Sequence, residues 1–362
     1  MTSAKSTFNF CSGPAMLPEP VMQQAQAELL NYQAKGISIM EMSHRSDTFQ
    51  AILHSAKVRL RQLMNVPSNY YILFMQGGAS LQFSCVPMNL LKGGKALYLD
   101  SGYWAKKAIA ECKKIGDLDV QSVVTDSVVR QLHIPADLCR GNPYSYVHYT
   151  ANETIDGLEY DSIPEVGDIP LVADMSSCIL SRPVDVSRFG LIYAGAQKNI
   201  GPAGLTVVII REDILARVMP DTIPRLLHYG TVVDENSMAN TPPTFAIYLA
   251  DLVFEWLQHQ GGVDAMAIHN QHKAEMLYSV IDDSRLYSNT VATSHRSCMN
   301  VPFFLDDQLE SAFVREAEQV GLLNLAGHRS VGGCRASIYN AMPVEGVEKL
   351  TEFMKHFENN YV

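Results

Sequence analysis

The feature that most constrains the fold is a regular alternation of short apolar runs with amphipathic segments, between about residues 19 and 258. The apolar runs have the composition of buried strands, and several of them end in polar or glycine-rich loops. The intervening segments repeat apolar residues at spacings of three and four, which predicts helices. One of these, "EPVMQQAQAELLNYQAKG", predicts a helix that stops at Gly36. Alternating strands and helices predict an α/β domain with a mostly parallel sheet and helices on both faces.

The rhythm changes after about residue 265. A long helix candidate, "GVDAMAIHNQHKAEMLYSVIDDS", is followed by a strand, a helix, a glycine-rich segment and a final helix. This order predicts a smaller C-terminal α+β domain. We therefore expect a large domain formed by residues 16–265, and a small domain formed by residues 1–15 together with 266–362.

Charge and cysteine content exclude several functions. The formal net charge is −10, so the chain is not expected to bind nucleic acid, and any anion must meet a local cluster of basic groups. The sequence contains no run of 18 apolar residues, so we expect no membrane span, and the N-terminus does not resemble a signal peptide. The seven cysteines include no Cys-x-x-Cys pair, which favours free thiols in the cytoplasm, and we expect no metal site.

Two strand ends carry the residues of greatest chemical interest. Asp174 ends the apolar run "IPLVA", and Lys198 lies in the glycine-rich turn "GAQKNIGPAG" between two apolar runs. Pyridoxal phosphate needs such a pair, because a lysine captures its aldehyde and a carboxylate keeps its ring nitrogen protonated. An ordinary loop lysine and a strand-end aspartate would give the same pattern, so the two residues alone leave both interpretations open.

Two further signals fit a flat, phosphorylated cofactor. The segment "QGGASLQF" follows a predicted strand and opens a predicted helix, so its N–H groups and the Ser80 hydroxyl suit a phosphate. It matches neither the dinucleotide fingerprint nor the P-loop, which disfavours a nicotinamide dehydrogenase. Trp104, just beyond the strand "KALYLD", could stack on an aromatic ring or fill the core.

His-Arg pairs recur three times, as His44-Arg45, His295-Arg296 and His328-Arg329, and Arg335 follows the last pair across Gly332-Gly333. Arginine forks bind carboxylate and phosphate groups, so arginines near glycine-rich turns indicate a dianionic substrate. The His295-Arg296 pair has no glycine context, and we interpret it as a surface pair.

A set of motifs, taken in order, resembles the phosphoserine aminotransferase family. Members of that family are class V, fold-type I enzymes that use pyridoxal phosphate. The resemblance runs from about residue 8 to 358, and it implies a large domain with a mostly parallel, seven-stranded sheet plus a smaller C-terminal domain. The motifs are "NFCSGPAMLP", "MEMSHRS", "GGASLQF", "YVHYTANETIDG", "SSCILSRPVDVSRFGLIYAG", "GAQKNIGPAGLTVVIIRED", "NTPPTFAIYL", "GHRSVGGCRASIYNAM" and "VEGVEKLTEFM".

The resemblance implies a role for each matching residue at the cofactor. Lys198 would form the Schiff base, Asp174 would pair with the pyridine nitrogen, Trp104 would stack on the ring, and Thr154 would lie near the phenolic oxygen. The positions that match contacts to the cofactor phosphate are Ala79, Ser80 and Gln197, with Asn240 and Thr241 from the second subunit of a dimer. Some family members carry an arginine where this chain has Ser80, so a substrate contact does not transfer to that position.

The resemblance also implies how substrate is held. His44 and Arg45 would reach the substrate phosphate from the other subunit, His328 and Arg329 would lie beside the same anion, and Arg335 would fork the α-carboxylate. The implied protein is a cytoplasmic homodimer with shared active sites.

The implied reaction interconverts 3-phosphohydroxypyruvate and L-glutamate with O-phospho-L-serine and 2-oxoglutarate, a step of serine biosynthesis. The resemblance also raises the related 4-phosphohydroxythreonine step of pyridoxal phosphate biosynthesis. Two alternatives remain at this point. One is another class V enzyme, such as a cysteine desulfurase, with Cys298 or Cys334 as the reactive thiol; the other is a non-catalytic scaffold of the same fold.

Overall fold

The computed structural model describes residues 7–125, 127–136, 138–139, 141–217 and 223–361. Its strands are β1 (Phe8–Asn9), β2 (Tyr70–Gln76), β3 (Lys95–Asp100), β4 (Asp117–Ser122), β5 (Val147–Thr150), β6 (Asn152–Glu153), β7 (Leu158–Glu159), β8 (Leu171–Asp174), β9 (Leu191–Gly195), β10 (Leu205–Arg211), β11 (Asn300–Phe303), β12 (Leu322–Leu323) and β13 (Cys334–Ser337).

Its helices are α1 (Glu19–Glu28), α2 (Asp47–Leu63), α3 (Gly78–Leu90), α4 (Tyr103–Cys112), α5 (Glu212–Leu215), α6 (Tyr229–Asp234), α7 (Thr244–His259), α8 (Gly262–Asp283), α9 (Asp307–Gln319) and α10 (Val344–Tyr361). None of the helices in these described ranges is long and apolar enough to cross a bilayer.

Seven of the described strands form one central sheet, in the order β2, β10, β9, β8, β5, β3, β4. β4, β3, β5, β8 and β9 pair in parallel, whereas β10 is antiparallel to both of its neighbours, β9 and β2. The predicted α/β fold with a mostly parallel sheet is therefore confirmed. Because β10 runs the other way, its amino end meets the carboxyl ends of the remaining strands at one edge.

Alternating side chains divide each central strand between two apolar cores. In β8, Val172 faces the core that holds Phe83 of α3, while Ala173 faces the core that holds Phe49 of α2 and Ile247 of α7. Residues of a strand point to opposite faces with a period of two, so a strand covered on both faces must be apolar throughout. This explains why the sequence shows continuous apolar runs and not an alternating pattern.

A third apolar core holds the C-terminal part of the chain together. Phe8 and Phe10 pack there with Phe303 and Phe357, and β1 pairs in parallel with β12. The N-terminal segment thus lies with the C-terminal unit. Helix α8 runs across the boundary predicted near residue 265, so the exact division stays a prediction, and residues 1–6 of the predicted small domain lie outside the described residues.

The first helix ends earlier than the sequence predicts. α1 stops at Glu28, and the chain then reverses through a tight turn in which Gln33 has φ 46°. The Asn31 side chain closes this turn by accepting a hydrogen bond from the Gly36 amide, at 2.7 Å. The reversal buries the Tyr32 ring against Tyr248, at 5.7 Å between centroids, and this tertiary contact overrides the local helical pattern.

Candidate active site

A cavity of about 440 Å³ opens at the edge where the parallel strands end. Ligands of open α/β sheets collect at this edge, because the loops that follow parallel strands converge there. The predicted site residues that line the cavity are Ala79, Ser80, Trp104, Thr154, Asp174, Gln197, Lys198, His328 and Arg335. Residues from the large sheet and from the C-terminal unit therefore share one space.

Lys198 lies in the turn that follows β9 and directs its amine into the cavity. Its Nζ donates a hydrogen bond to Thr154 Oγ1 at 2.7 Å and lies 5.9 Å from the centre of the Trp104 ring. The pKa of Lys198 is lowered to about 8, chiefly by burial; the Asp174 charge acts against this shift and the Arg335 charge acts with it. A lysine with such a pKa is partly neutral near neutral pH, as a nucleophile or base must be.

Asp174 occupies the last position of β8 and is buried. Its Oδ1 accepts hydrogen bonds from the Ser176 amide at 2.9 Å and from the Ser176 hydroxyl at 2.6 Å. Burial raises the pKa of Asp174, while the Ser176 hydrogen bonds and the nearby Lys198 charge favour the ionised form. A carboxylate in this position is stabilised by a further cation, such as a protonated ring nitrogen.

The glycine pair at the start of α3 opens the helix N-terminus to the cavity. Gly77 and Gly78 have φ values of 94° and 66°, and a Cβ on Gly77 would come within 2.5 Å of Leu81 Cδ2. Only glycine fits this bend. Ala79 and Ser80 follow in the first turn, where amide groups without intrahelical partners and the helix dipole favour an anion.

The cavity also contains buried polar atoms that the protein leaves unsatisfied. Trp104 Nε1, Thr150 Oγ1 and Asn152 Oδ1 have no hydrogen-bond partner, although each of these residues lines the cavity. Trp104 also packs against the core beside α3, and its stacking on an aromatic ring stays a prediction. A lysine, a buried carboxylate, an anion-binding turn and an aromatic wall fit pyridoxal phosphate, and unsatisfied polar groups are expected where a ligand binds.

Arg335, on β13, brings a positive charge to the cavity from the C-terminal unit. Its NH2 group donates to Ser12 Oγ at 2.7 Å and its NH1 group to the Thr154 carbonyl at 3.3 Å. The side chain is mostly buried, and among the described residues no carboxylate forms an ion pair with it. A buried guanidinium without a counter-ion is suited to bind a substrate carboxylate.

His328 lines the cavity on the same side, and its ring lies 5.2 Å from that of Tyr103. Its neighbour Arg329 is exposed and does not line the cavity. The Ser330 amide donates to His328 Nδ1 at 3.3 Å, which favours the tautomer with the proton on Nε2. The imidazole can therefore offer a donor to an anion.

The remaining predicted residues lie outside the cavity, in two segments that we call the rim segments, residues 44–45 and 240–241. Arg45, Asn240 and Thr241 are exposed and His44 is half-buried. Gln76, which precedes the Gly77 turn, donates to Asn240 Oδ1 at 3.2 Å. Residues 240–241 thus adjoin the Gly77 turn, and neither rim segment lines the cavity of its own chain.

Arg296 differs from its interpretation as a surface residue. Its guanidinium pairs with both oxygens of Asp282 at 2.6 and 2.7 Å and packs over the Tyr278 ring at 4.7 Å. Only 11% of its side chain is exposed, whereas 48% of the Asp282 side chain is, so the pair lies at the edge of the surface and is more enclosed than predicted. This arginine holds α8 against the segment before β11 and takes no part in the cavity.

Sequence reasoning missed three residues that shape the site. Ser12 binds Arg335, Ser176 binds Asp174, and Glu153 binds the backbone of Trp104. Ser176 could have been found, because it follows a strand-end carboxylate by two residues and can hydrogen-bond it locally. Ser12 and Glu153 act through contacts between distant segments, which no local pattern indicates.

Comparison with known proteins gives a consistent result. A family model described as class-V aminotransferase matches residues 7–350. The chain is 56% identical to the phosphoserine aminotransferase of Hahella chejuensis over 356 residues, 98% of each chain. It is 54% identical to that of Pseudomonas aeruginosa over 360 residues, 99% of each chain.

Two solved structures extend the likeness to three dimensions. The phosphoserine aminotransferase from Bacillus circulans subsp. alkalophilus superposes with a TM-score of 0.92 at 44% identity, covering 99% of this chain and 100% of that one. The PLP-bound phosphoserine aminotransferase from Trichomonas vaginalis has a TM-score of 0.91 at 41% identity, covering 96% of this chain and 99% of that one.

Proposed function

Because the chain belongs to the class V aminotransferases, and within them to the phosphoserine aminotransferase family, we infer that it is a pyridoxal phosphate-dependent transaminase. It interconverts 3-phosphohydroxypyruvate and L-glutamate with O-phospho-L-serine and 2-oxoglutarate, in serine biosynthesis. The observation that supports this activity is a single cavity lined by Lys198, Asp174 and an Arg335 without a counter-ion.

The cofactor residues divide the work among them. Lys198 and Asp174 would hold the two ends of the ring and Trp104 would cover one face, while Thr154 lies beside the lysine amine. Ala79, Ser80 and Gln197 surround the phosphate in this assignment. Pyridoxal phosphate, when bound, supplies an aldehyde that captures the amino group and a ring that accepts the electrons of the substrate's Cα–H bond.

The protein's own groups handle the proton. The neutral Lys198 amine takes the proton from the substrate α-carbon and later returns a proton to the product, as a general base and acid. Its lowered pKa of about 8 keeps a useful neutral fraction near physiological pH. The Ser176 amide and hydroxyl favour the ionised form of Asp174, which would keep the ring nitrogen of a bound cofactor protonated.

Substrate recognition follows from the placement of positive charge. Arg335 binds the α-carboxylate that both amino acids share, and His328 with Arg329 lies towards the far end of the substrate. Phosphoserine and glutamate both carry negative charge at that far end, so one basic cluster serves both. The related phosphorylated substrate of the 4-phosphohydroxythreonine step carries the same two anionic ends and fits the same assignment.

We also propose that the enzyme is a homodimer whose subunits share their active sites. The rim segments are largely exposed and do not line the cavity of their own chain, which supports their reaching the cavity of a second subunit. In that arrangement, His44 and Arg45 meet the substrate phosphate, and Asn240 and Thr241 meet the cofactor phosphate. We place the enzyme in the cytoplasm, where its seven free cysteines would be stable.

Neither alternative function finds support. Burial raises the pKa of Cys298 to about 12 and also raises the pKa of Cys334, so both thiols stay protonated, unlike the nucleophile of a desulfurase. A non-catalytic scaffold would not need a buried lysine whose pKa is lowered beside a buried carboxylate.

The direct test is an assay of the purified, cofactor-loaded protein. With 2-oxoglutarate present, we expect glutamate to form from O-phospho-L-serine with a kcat/KM at least about 100-fold above that with L-serine, since the phosphate makes charge-assisted hydrogen bonds that serine cannot. Equal rates with the two amino acids, or turnover of a neutral amino acid alone, would contradict the assignment. Colourless protein after loading would contradict the cofactor.

A further inference from the structure

Helix α4, which carries Trp104 in its first turn, is capped by a carboxylate from a distant segment. The position before the helix is Gly102, which has no side chain and makes no capping hydrogen bond. Glu153, 49 residues beyond Trp104, takes that place: its Oε2 accepts from the Trp104 amide at 2.9 Å and its Oε1 from the Ala105 amide at 3.0 Å. The first amides of a helix lack partners, so this carboxylate satisfies groups that would otherwise be buried and unpaired.

The approach of the two segments explains why residue 102 is glycine. A Cβ at this position would lie 2.8 Å from the Glu153 carboxyl carbon and 2.7 Å from Asp156 Oδ2. Real side chains do not come so close to such atoms, so any larger residue would push Glu153 away from the helix. The cap that Glu153 provides therefore depends on glycine at position 102.

The charge on Glu153 is costly, and its donors compensate for the cost. The residue is fully buried, and burial raises the pKa of Glu153 to about 7, with the neighbouring Asp156 charge acting in the same direction. Hydrogen bonds from Ala105, Trp104 and Ser101 favour the ionised form, the last at 3.2 Å. Buried carboxylates are rare and costly unless several donors satisfy them, so three donors on Glu153 indicate a site under constraint.

The turn that carries Glu153 also holds two other groups of the site. Thr154, the next residue, accepts from Lys198 through its hydroxyl and from Arg335 through its carbonyl. The turn is fixed in place by the Gly157 amide, which donates to the Glu153 carbonyl at 2.8 Å, and by Asn152, which donates to Asn300 at 2.8 Å. One short turn thus sets the positions of the lysine, the arginine and the tryptophan relative to each other.

We propose that Glu153 is a positioning residue of the active site, which holds the Trp104 ring against the cofactor space by fixing the first turn of α4. This inference rests on the proposed function, because it assumes that Trp104 covers a bound cofactor. Without the carboxylate, the first turn loses acceptors for two amides, and the indole can leave the position from which it faces Lys198.

The test compares Glu153→Gln with Glu159→Gln, both in a Trp256→Phe background that leaves Trp104 as the sole tryptophan. Glu159 is the matched control: it is a buried carboxylate of the same hairpin, but it pairs with Arg182 at 3.3 Å and accepts from the Cys298 amide at 3.2 Å, on segments other than α4. A glutamine at 153 must turn its amide group towards one of the two backbone donors, so one hydrogen bond is lost.

For Glu153→Gln without cofactor, we expect the amides of Trp104 and Ala105 to exchange about tenfold faster, as the loss of a charge-assisted hydrogen bond implies. Trp104 fluorescence should become more accessible to acrylamide, and with pyridoxal phosphate bound, the visible circular dichroism should weaken. Glu159→Gln should leave all three signals unchanged. Unchanged exchange, quenching and dichroism in a folded Glu153→Gln protein would overturn the proposal.

A second variant keeps the proposal testable if Glu153→Gln does not fold. Gly102→Ala displaces Glu153 from the other side without altering any charge, and we expect the same three changes in the same direction. If Gly102→Ala leaves Trp104 unmoved, the proposal fails. The two levels of inference remain separable: a protein that does not transaminate phosphoserine refutes the proposed function whatever Trp104 does, and an unmoved Trp104 in an active enzyme refutes only the role of Glu153.

Discussion

The floor of the cavity and the rim segments differ in how firmly the chain holds them. On the floor, the functional groups of Lys198, Asp174 and Arg335 are enclosed and each makes at least one hydrogen bond within the chain. In the rim segments, Arg45 is exposed, and among the described residues its guanidinium forms no ion pair. The groups assigned to bond-making are therefore fixed by one chain, and the groups assigned to the far anion are not.

This difference in burial determines which part of the function each region controls. A preorganised, buried group has an altered pKa and costs little to orient during the reaction. An exposed arginine has an ordinary environment and becomes a specific ligand only when another surface encloses it. We therefore expect changes on the floor to abolish chemistry, and changes in the rim segments to alter the choice of substrate.

The largest effect is expected on the floor. Lys198→Ala removes both the covalent attachment point and the base, so transamination should fall by about 10⁴-fold or more. The measurements are steady-state turnover and the yellow colour that survives dialysis of the cofactor-loaded protein. Lys57→Ala is the matched control, since burial also lowers the pKa of Lys57 to about 8, yet its amine bonds Asn236 away from the cavity.

Lys57→Ala should keep both activity and colour. If that protein lost them and Lys198→Ala retained them, the assignment of the catalytic lysine would be wrong. Equal losses of activity and colour in both variants would show that the position of the lysine in the cavity does not decide its role. The proposed difference between the floor and the rim segments would then be contradicted.

The contrast between floor and rim is tested most directly by two arginines. Arg335→Ala should lower kcat/KM about 100- to 1,000-fold for every amino acid. Each amino acid has an α-carboxylate, and that carboxylate loses its charged hydrogen bonds to the buried guanidinium. Arg45→Ala should lower it about 10- to 100-fold for phosphoserine and glutamate, and leave alanine, which has no distal anion, nearly unchanged. Arg217→Ala, an exposed arginine paired with Asp213, is the control and should change neither.

A mixed dimer decides whether the rim acts across subunits. When Arg45→Ala and Lys198→Ala subunits are combined, one of the two sites receives both native residues if Arg45 serves the neighbouring subunit. About half of the native phosphoserine activity per dimer should then return. If Arg45 served its own subunit, no site would be native, and the mixture would be no better than the Arg45→Ala protein.

The sequence predicted the floor better than the connections beneath it, for a physical reason. Asp174 and Lys198 were predictable because buried parallel strands are apolar throughout, so the first polar residue marks the strand end where ligands bind. The orientation of β10 was not predictable, since an apolar run has the same pattern in either direction. The early end of α1 was missed because the burial of Tyr32 is a tertiary contact.

The support of each functional residue was also hidden from local patterns. Ser12 holds Arg335 from 323 residues away, and Glu153 caps a helix that begins in an earlier part of the chain. Sequence reasoning assigns a residue to a local element, whereas these contacts depend on how the elements pack. The resemblance to a family supplied residue roles, but not the groups that hold those residues in place.

The smallest predicted effect concerns the pKa of Lys198. It is measured from the rate at which cofactor-free protein takes up pyridoxal phosphate at different pH values. The neutral amine is the reactive form, so the rate should rise about tenfold per pH unit below the pKa of Lys198 and level off above it. Since that pKa is about 8 and not the ordinary 10.5, the plateau should begin near pH 8. Asp174→Asn removes the charge that raises the lysine pKa, so its plateau should begin at lower pH. A rate that still rises steeply well above pH 8 in the native protein would mean that the Lys198 amine is as basic as an exposed lysine. Burial would then not distinguish the floor of the cavity from the rim segments.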